Sequence, residues 1–147
     1  MRLISPTFGN NEKMPKEYTC DGNNLSPHLE IEDVPEEAES LVLIADDPDA
    51  PGGTWVHWLL WNIPPAQTVI EEGGYPEGAI EGLNSAGSIG YSSPCPPSGT
   101  HRYIFTLYAI DKMLELPSDS DKEALLLEMD GHILAKTELV GLYERKT

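Results

Sequence analysis

Cysteine is scarce in this chain, with two residues, Cys20 and Cys95, among 147. The pair lacks the Cys-x-x-Cys spacing of a redox or zinc site. In a cytosolic chain, two such residues read as reduced thiols rather than a bridge. A Cys20–Cys95 disulfide stays open as the alternative if the fold brings the two together. Basic residues are scarce too: nine Lys and Arg stand against 25 Asp and Glu, for a net charge of −16. So acidic a surface repels nucleic acid and anionic lipid, which are bound chiefly through basic patches. Long apolar runs are missing as well. None approaches the ~20 residues that cross a bilayer, and no apolar stretch follows a basic N-terminal region. The expectation is a soluble cytoplasmic protein of one domain over residues 1–147, with no nucleic-acid partner and no membrane insertion.

What is present is unevenly distributed. Acids crowd into 30–39, 71–81 and 111–144, while 50–70 and 82–110 contain none. The acid-free segments are therefore candidates for the interior and for a site. The central stretch, Leu41 to Ile63, holds an apolar run, then Asp46-Asp47-Pro48-Asp49-Ala50-Pro51, then a second apolar run from Val56 that carries His57. Short apolar runs rich in β-branched and aromatic residues and bounded by Pro and Gly predict two strands joined by a turn. Carboxylates there are costly near a core unless paired or hydrogen-bonded. Pro48 stiffens the segment and biases Asp47 towards an extended conformation.

Residues 1–40 are rich in turn formers, with short pieces around Leu3–Ile4 and His28–Ile31 that could pair as strands. Residues 66–100 are again turn-rich and end in Ser92-Ser93-Pro94-Cys95-Pro96-Pro97-Ser98-Gly99-Thr100. A loop of that length in a compact chain is functional or disordered; its lack of acids and its Tyr91 favour a structured binding loop. His101–Ile110 predicts a third strand, with His101, Tyr103, Phe105, Leu107 and Ala109 on one face. The same alternation places His57 on a face with Leu59, Trp61 and Ile63. One helix is signalled over 121–130, with Ser120 and Glu123 as a capping box, Gly131 at C′, and Leu125, Leu126 and Met129 facing inward. A last strand is expected over Leu139–Tyr143. Thirteen prolines and a single clear helix predict a mainly β protein, an antiparallel β-sandwich with one or two short helices.

Asp47, Asp49, His57, His101 and Tyr103 all fall at ends of apolar strands. Singly, each reads as a packed or solvated residue; together they suggest one site. Asp47-Pro48-Asp49-Ala50-Pro51, Trp55-Val56-His57-Trp58 and Cys95-Pro96-Pro97-Ser98-Gly99-Thr100-His101-Arg102-Tyr103 resemble the phosphatidylethanolamine-binding protein family, also called Raf kinase inhibitor protein-like, in its bacterial and archaeal branch. Tyr18-Thr19-Cys20-Asp21-Gly22, Gly82-Leu83-Asn84 and Gly141-Leu142-Tyr143 extend the resemblance over nearly the whole chain. It departs from that branch at Ser92-Ser93, Ser85-Ala86 and Ile31. The resemblance implies a β-sandwich of two antiparallel sheets with a Greek-key element. It implies a surface pocket for phosphate-like anions, including phosphorylated head-groups, lined by Asp47, Asp49, Pro51, Trp55, His57, Cys95, Pro96, His101 and Tyr103. It implies a non-enzymatic regulator without cofactor, or alternatively an inhibitor of a kinase or serine protease. Exposed edge strands leave room for a homodimer.

An anion beside two carboxylates requires a protonated carboxyl or an imidazolium between them. Neighbouring carboxylates push one pKa up, and a histidine beside a carboxylate holds its proton more firmly. Affinity is then expected to rise as pH falls through ~6.5, the ordinary histidine value. Ser98-Gly99-Thr100 could add a backbone nest for the anion. Two further readings remain at this level: a divalent-metal hydrolase using the Asp-x-Asp pair and both histidines, and nucleophilic catalysis by Cys95, Ser98 or Thr100 with His101 as base.

Overall fold

Residues 1–145 are described by a computed structural model. Strands dominate it: Arg2–Ile4 (β1), Glu12–Lys13 (β2), Leu29–Glu32 (β3), Ser40–Asp47 (β4), Trp55–Ile63 (β5), Val69–Ile70 (β6), Ile80–Glu81 (β7), His101–Ile110 (β8) and Ile133–Tyr143 (β9). One helix, Lys122–Met129 (α1), and a short 3-10 turn at Lys16–Tyr18 complete the regular structure. β4, β5 and β8 are the apolar segments that the sequence marks out. β4 runs further than expected, so Asp46 and Asp47 end a strand instead of opening a turn. β9 is also longer, taking in 133–138 as well as Leu139–Tyr143.

The larger sheet has the order β2-β9-β8-β4-β5-β7, and the smaller the order β1-β3-β6. Every pairing is antiparallel except β2 with β9, which is parallel. The larger sheet is therefore mixed, which corrects the expectation of antiparallel sheets throughout. Leu3, Leu29, Ile31 and Ile70 of the small sheet pack with Leu41, Leu43, Trp58, Leu60, Phe105 and Leu107 of the large one in a single apolar core. The opposite face of the large sheet, with Val42, Ile44, Leu59 and Trp61, is covered by Leu114, Leu125 and Met129. Alternation along β4 thus feeds two cores at once, so its apolar run is nearly unbroken.

The helix start differs from the expected capping box. Asp121 is the N-cap, its carboxylate accepting from the Ala124 N–H at 3.0 Å, an arrangement that satisfies one of the orphan donors of the first turn. Leu125 and Met129, four residues apart, face the core. Leu126, one step round the helix, is 38 % exposed and does not.

Cys20 and Cys95 form a disulfide, with Cα atoms 5.4 Å apart. This corrects the reading of two reduced thiols. The reason is spatial: the 3-10 turn and the segment after it fold back over the proline-rich loop, and the Cys20 N–H donates to the Pro94 carbonyl at 3.0 Å. Tyr91 Oη bonds the Tyr18 carbonyl nearby at 2.8 Å. Gly22 lets the chain after Cys20 close back on the 3-10 turn, because a Cβ there would strike the backbone of Lys16 and Glu17.

Candidate functional site

Strand order brings the site together. β4 is antiparallel to both of its neighbours, so its C-terminal end lies beside the N-terminal ends of β5 and β8. Asp47 from β4, Trp55 and His57 from β5, and His101 and Tyr103 from β8 meet at that end of the sheet, where they line a cavity of about 310 Å³. The turn after β4 adds Ala50 and Pro51, and the loop before β8 adds Ser92, Ser93, Cys95, Pro96 and Pro97.

His57 reaches the cavity through a break in strand alternation. Ala45 pairs with Trp58 but Asp46 pairs with Val56, so β5 carries one extra residue at His57. Such a bulge turns a side chain to the other face. His57 consequently lies edge-on to Tyr103, with ring centroids 5.3 Å apart, and leaves the face of Leu59 and Trp61. This overturns the simple alternation expected along β5.

Each histidine is held by its Nδ1. His101 Nδ1 donates to Asp47 Oδ2 at 2.6 Å, and both side chains are buried. His57 Nδ1 donates to the Ser92 carbonyl. Among the described residues neither Nε2 has a hydrogen-bond partner, so these two nitrogens remain for the cavity. Tyr103 sits between the rings, stacked on His101 at 6.3 Å. Its hydroxyl also lacks a partner among the described residues, and its pKa is raised by burial and then by the Asp47 and Asp49 charges. It therefore stays a neutral O–H donor. Burial also pushes His57 below the ordinary histidine value, against the opposing pull of the Ser92 carbonyl, Asp47 and Asp46. That moves the expected protonation of this ring below ~6.5.

The two carboxylates have separate duties. Asp47, 3 % exposed, has both oxygens engaged, with Oδ2 on His101 and Oδ1 accepting from the Asp49 N–H at 2.7 Å. The Asp47-Pro48-Asp49 turn is thereby closed by its own side chain. Asp49 does not line the cavity. Its carboxylate forks with Arg102, taking Nε and Nη2 each at 2.9 Å and the backbone N–H at 3.0 Å. The guanidinium bonds hold its pKa down at about 2. The expected mutual elevation of neighbouring carboxylates is therefore absent at Asp49, because an arginine intervenes.

The remaining expectations sort by placement. Pro51, Trp55, Cys95 and Pro96 line the cavity, and Trp55 is 39 % exposed at its rim. Ser98, Gly99 and Thr100 do not line it, and Thr100 Oγ1 donates to Glu144 at 2.8 Å instead. Cys95 has no thiol to offer as a nucleophile, since its sulfur is bridged. Among the described residues no three His, Cys, Asp or Glu side chains converge as a metal-ligand set. Ala50, Ser92, Ser93 and Pro97 also line the cavity but were not among the expected lining residues. Ala50 falls in the acid-free stretch 50–70 and the other three in the expected binding loop of 82–110, and neither signal says which residues turn inward.

The family model for phosphatidylethanolamine-binding proteins matches residues 4–144. The chain is 49 % identical to a UPF0098 protein of Methanothermobacter thermautotrophicus over 99 % of both chains. A UPF0098 protein of Pyrococcus abyssi is 48 % identical over 99 % of this chain and 86 % of that one. Among solved structures, a phosphatidylethanolamine-binding protein homolog from Chlamydia trachomatis superposes with a TM-score of 0.95 at 46 % identity, over 98 % of this chain and 97 % of that one. YBCL of Escherichia coli, described as a member of the mammalian PEBP family, gives 0.91 at 29 % identity over 99 % and 98 %. With its cavity built at the meeting of β4, β5 and β8, this chain belongs to the phosphatidylethanolamine-binding protein family.

Proposed function

We propose that this protein binds a small phosphorylated anion, phosphate or a phosphorylated head-group, in the cavity between β4, β5 and β8, and acts as a regulator without turnover. The observation that carries this reading is the pair of histidines whose Nδ1 atoms are fixed by Asp47 and Ser92, leaving two Nε2 atoms and the Tyr103 hydroxyl for one ligand. A neutral Nε2 accepts and cannot donate, so two of them repel a fully ionised phosphate. Binding therefore takes up a proton, either on an imidazole or on the ligand itself. The apolar wall of Pro51, Trp55 and Pro96 suits a ligand with a short carbon arm, and its stiffness limits the entropy lost on binding. A Greek-key sandwich and a cytoplasmic location belong to the same proposal; two sheets sharing one core support the first, and the lack among the described residues of a helix long and apolar enough to cross a membrane is compatible with the second. The Cys20–Cys95 bridge, a bond rare in a reducing cytosol, weighs against that location.

Calorimetric titration with phosphate and with O-phosphoethanolamine, in buffers of different ionisation enthalpy, tests the reading. Saturable binding with net proton uptake is the expected result. No heat with either ligand between neutral and mildly acidic pH contradicts it. A second reading, inhibition of a kinase or serine protease by the rim, rests on the exposed Trp55. Substituting His57 and His101 separates the two, since inhibition through the rim survives when anion binding is lost.

A further inference from the structure

The Asp47–His101 pair can do more than steady an imidazolium for an anion. The same buried carboxylate also adds negative charge beside the ligand. Asp47 is nonetheless held firmly, with one oxygen on the Asp49 N–H and the other on His101 Nδ1, both bonds under 3 Å. The bond to Nδ1 fixes the tautomer, so the lone pair is on Nε2. His101 is 6 % exposed and lines an open cavity. The ring therefore presents a single nucleophilic nitrogen to whatever the cavity holds. His57 differs, because its Nδ1 partner is a neutral carbonyl that cannot balance a positive ring.

From this geometry we infer that His101 Nε2 is a phosphoryl acceptor, modified stoichiometrically by small acyl phosphates or phosphoramidates that enter the cavity. The inference rests on the anion-binding reading and extends it to a modification site. In the step, the Nε2 lone pair forms the N–P bond as the bond from phosphorus to the leaving oxygen or nitrogen breaks. The bonding pair departs with the leaving group, a carboxylate in the case of an acyl phosphate. An amine leaving group from a phosphoramidate takes a proton, which a protonated donor already carries. The imidazole becomes a ring with phosphoryl on Nε2 and hydrogen on Nδ1, and the Asp47 carboxylate balances its positive charge. Tyr103 donates to a phosphoryl oxygen. The rigid wall of Pro51 and Pro96 restricts the donor to a small leaving group. Asp47 acts through His101 and is a positioning residue.

The test incubates the intact protein with acetyl phosphate or phosphoramidate and measures intact mass, followed by tandem mass spectrometry under alkaline conditions that preserve a phosphoramidate. One added phosphoryl group, localised to His101, is expected. His101→Gln loses it, and Asp47→Asn slows its appearance by roughly tenfold or more, as expected when the carboxylate that fixes a histidine tautomer is lost. Phosphorus NMR of the product gives a phosphoramidate signal that acid removes. Circular dichroism of each variant checks folding, and localisation in the unmodified sequence decides the matter even if a variant fails to fold. No added mass, or a phosphoryl group on another residue, overturns the inference. Orthophosphate titration of the same sample separates the two levels: binding without transfer overturns only the modification, whereas absence of binding overturns the anion-site reading.

Discussion

At the scale of single residues, the site is decided by which atom of each polar side chain is already taken. Asp47, Asp49 and the Ser92 carbonyl accept from His101, Arg102 and His57, so the two imidazoles, the Tyr103 hydroxyl and the Ser92 hydroxyl are left to meet a ligand. His57 contributes to the pH response. Its folded pKa lies below the ordinary value because burial disfavours the charged ring. Below ~6.5 the unfolded chain takes up this proton first, so stability falls as pH drops from there towards the folded value. Anion affinity moves the other way and rises over the same window. The expected outcome is a denaturation midpoint that declines as pH falls below ~6.5 while phosphate binding strengthens. In His57→Gln both trends are expected to flatten, as read by denaturant titration and calorimetry. The residue types at the site were legible in the sequence, since Asp, His and Tyr stand out at the ends of apolar strands. Their division of labour was not, because it depends on contacts between positions some 50 apart, such as Arg102 with Asp49.

At the scale of elements, irregularities matter more than regular strands. Period-two alternation identified β8 correctly, with His101, Tyr103 and Phe105 all buried on one face. It failed on β5, where two register shifts interrupt the pairing with β4. One shift turns His57 into the cavity. The other falls between the pairs at Leu60 and Ile63, where Asn62 has a φ of +56°. Nothing in the composition of an apolar strand announces such a shift, which the pairing partner decides. Asn62 is anchored there, its amide donating to the Leu114 carbonyl at 2.9 Å and accepting from the Leu114 N–H at 2.8 Å. Asn62→Ala strands both buried groups and places alanine in the left-handed region, so a loss of about 2–4 kcal/mol is expected by denaturant titration. The Cys20–Cys95 bridge is the other element-level device, joining residues 75 apart and pinning the loop that carries Ser92 and Pro96. Reduction or Cys20→Ser is expected to lower stability by about 2–4 kcal/mol. Thiol titration of the unreduced, denatured protein is expected to find no free thiol. Cysteine count alone could not reveal this bond, since only the fold brings the two segments together.

At the scale of the whole molecule, the mainly β architecture and the position of the site at one sheet end follow from three apolar segments that end in polar residues. Composition gave the class, but not the parallel β2–β9 pairing, which involves two residues too short to leave a pattern. The net charge of −16 acts at long range on every partner. It opposes anions outside the cavity, so the local donors must overcome the global field. Duplex DNA and phosphatidylserine vesicles are expected to show no retention of the protein at physiological salt, by mobility shift and flotation. One proton-dependent anion site is proposed where β4, β5 and β8 converge, and a crystal structure of the protein grown or soaked with O-phosphoethanolamine at mildly acidic pH decides it. Phosphoryl density is expected within hydrogen-bonding distance of His57 Nε2, His101 Nε2 and the Tyr103 hydroxyl. A fully occupied ligand elsewhere, with this cavity holding only solvent, would contradict it.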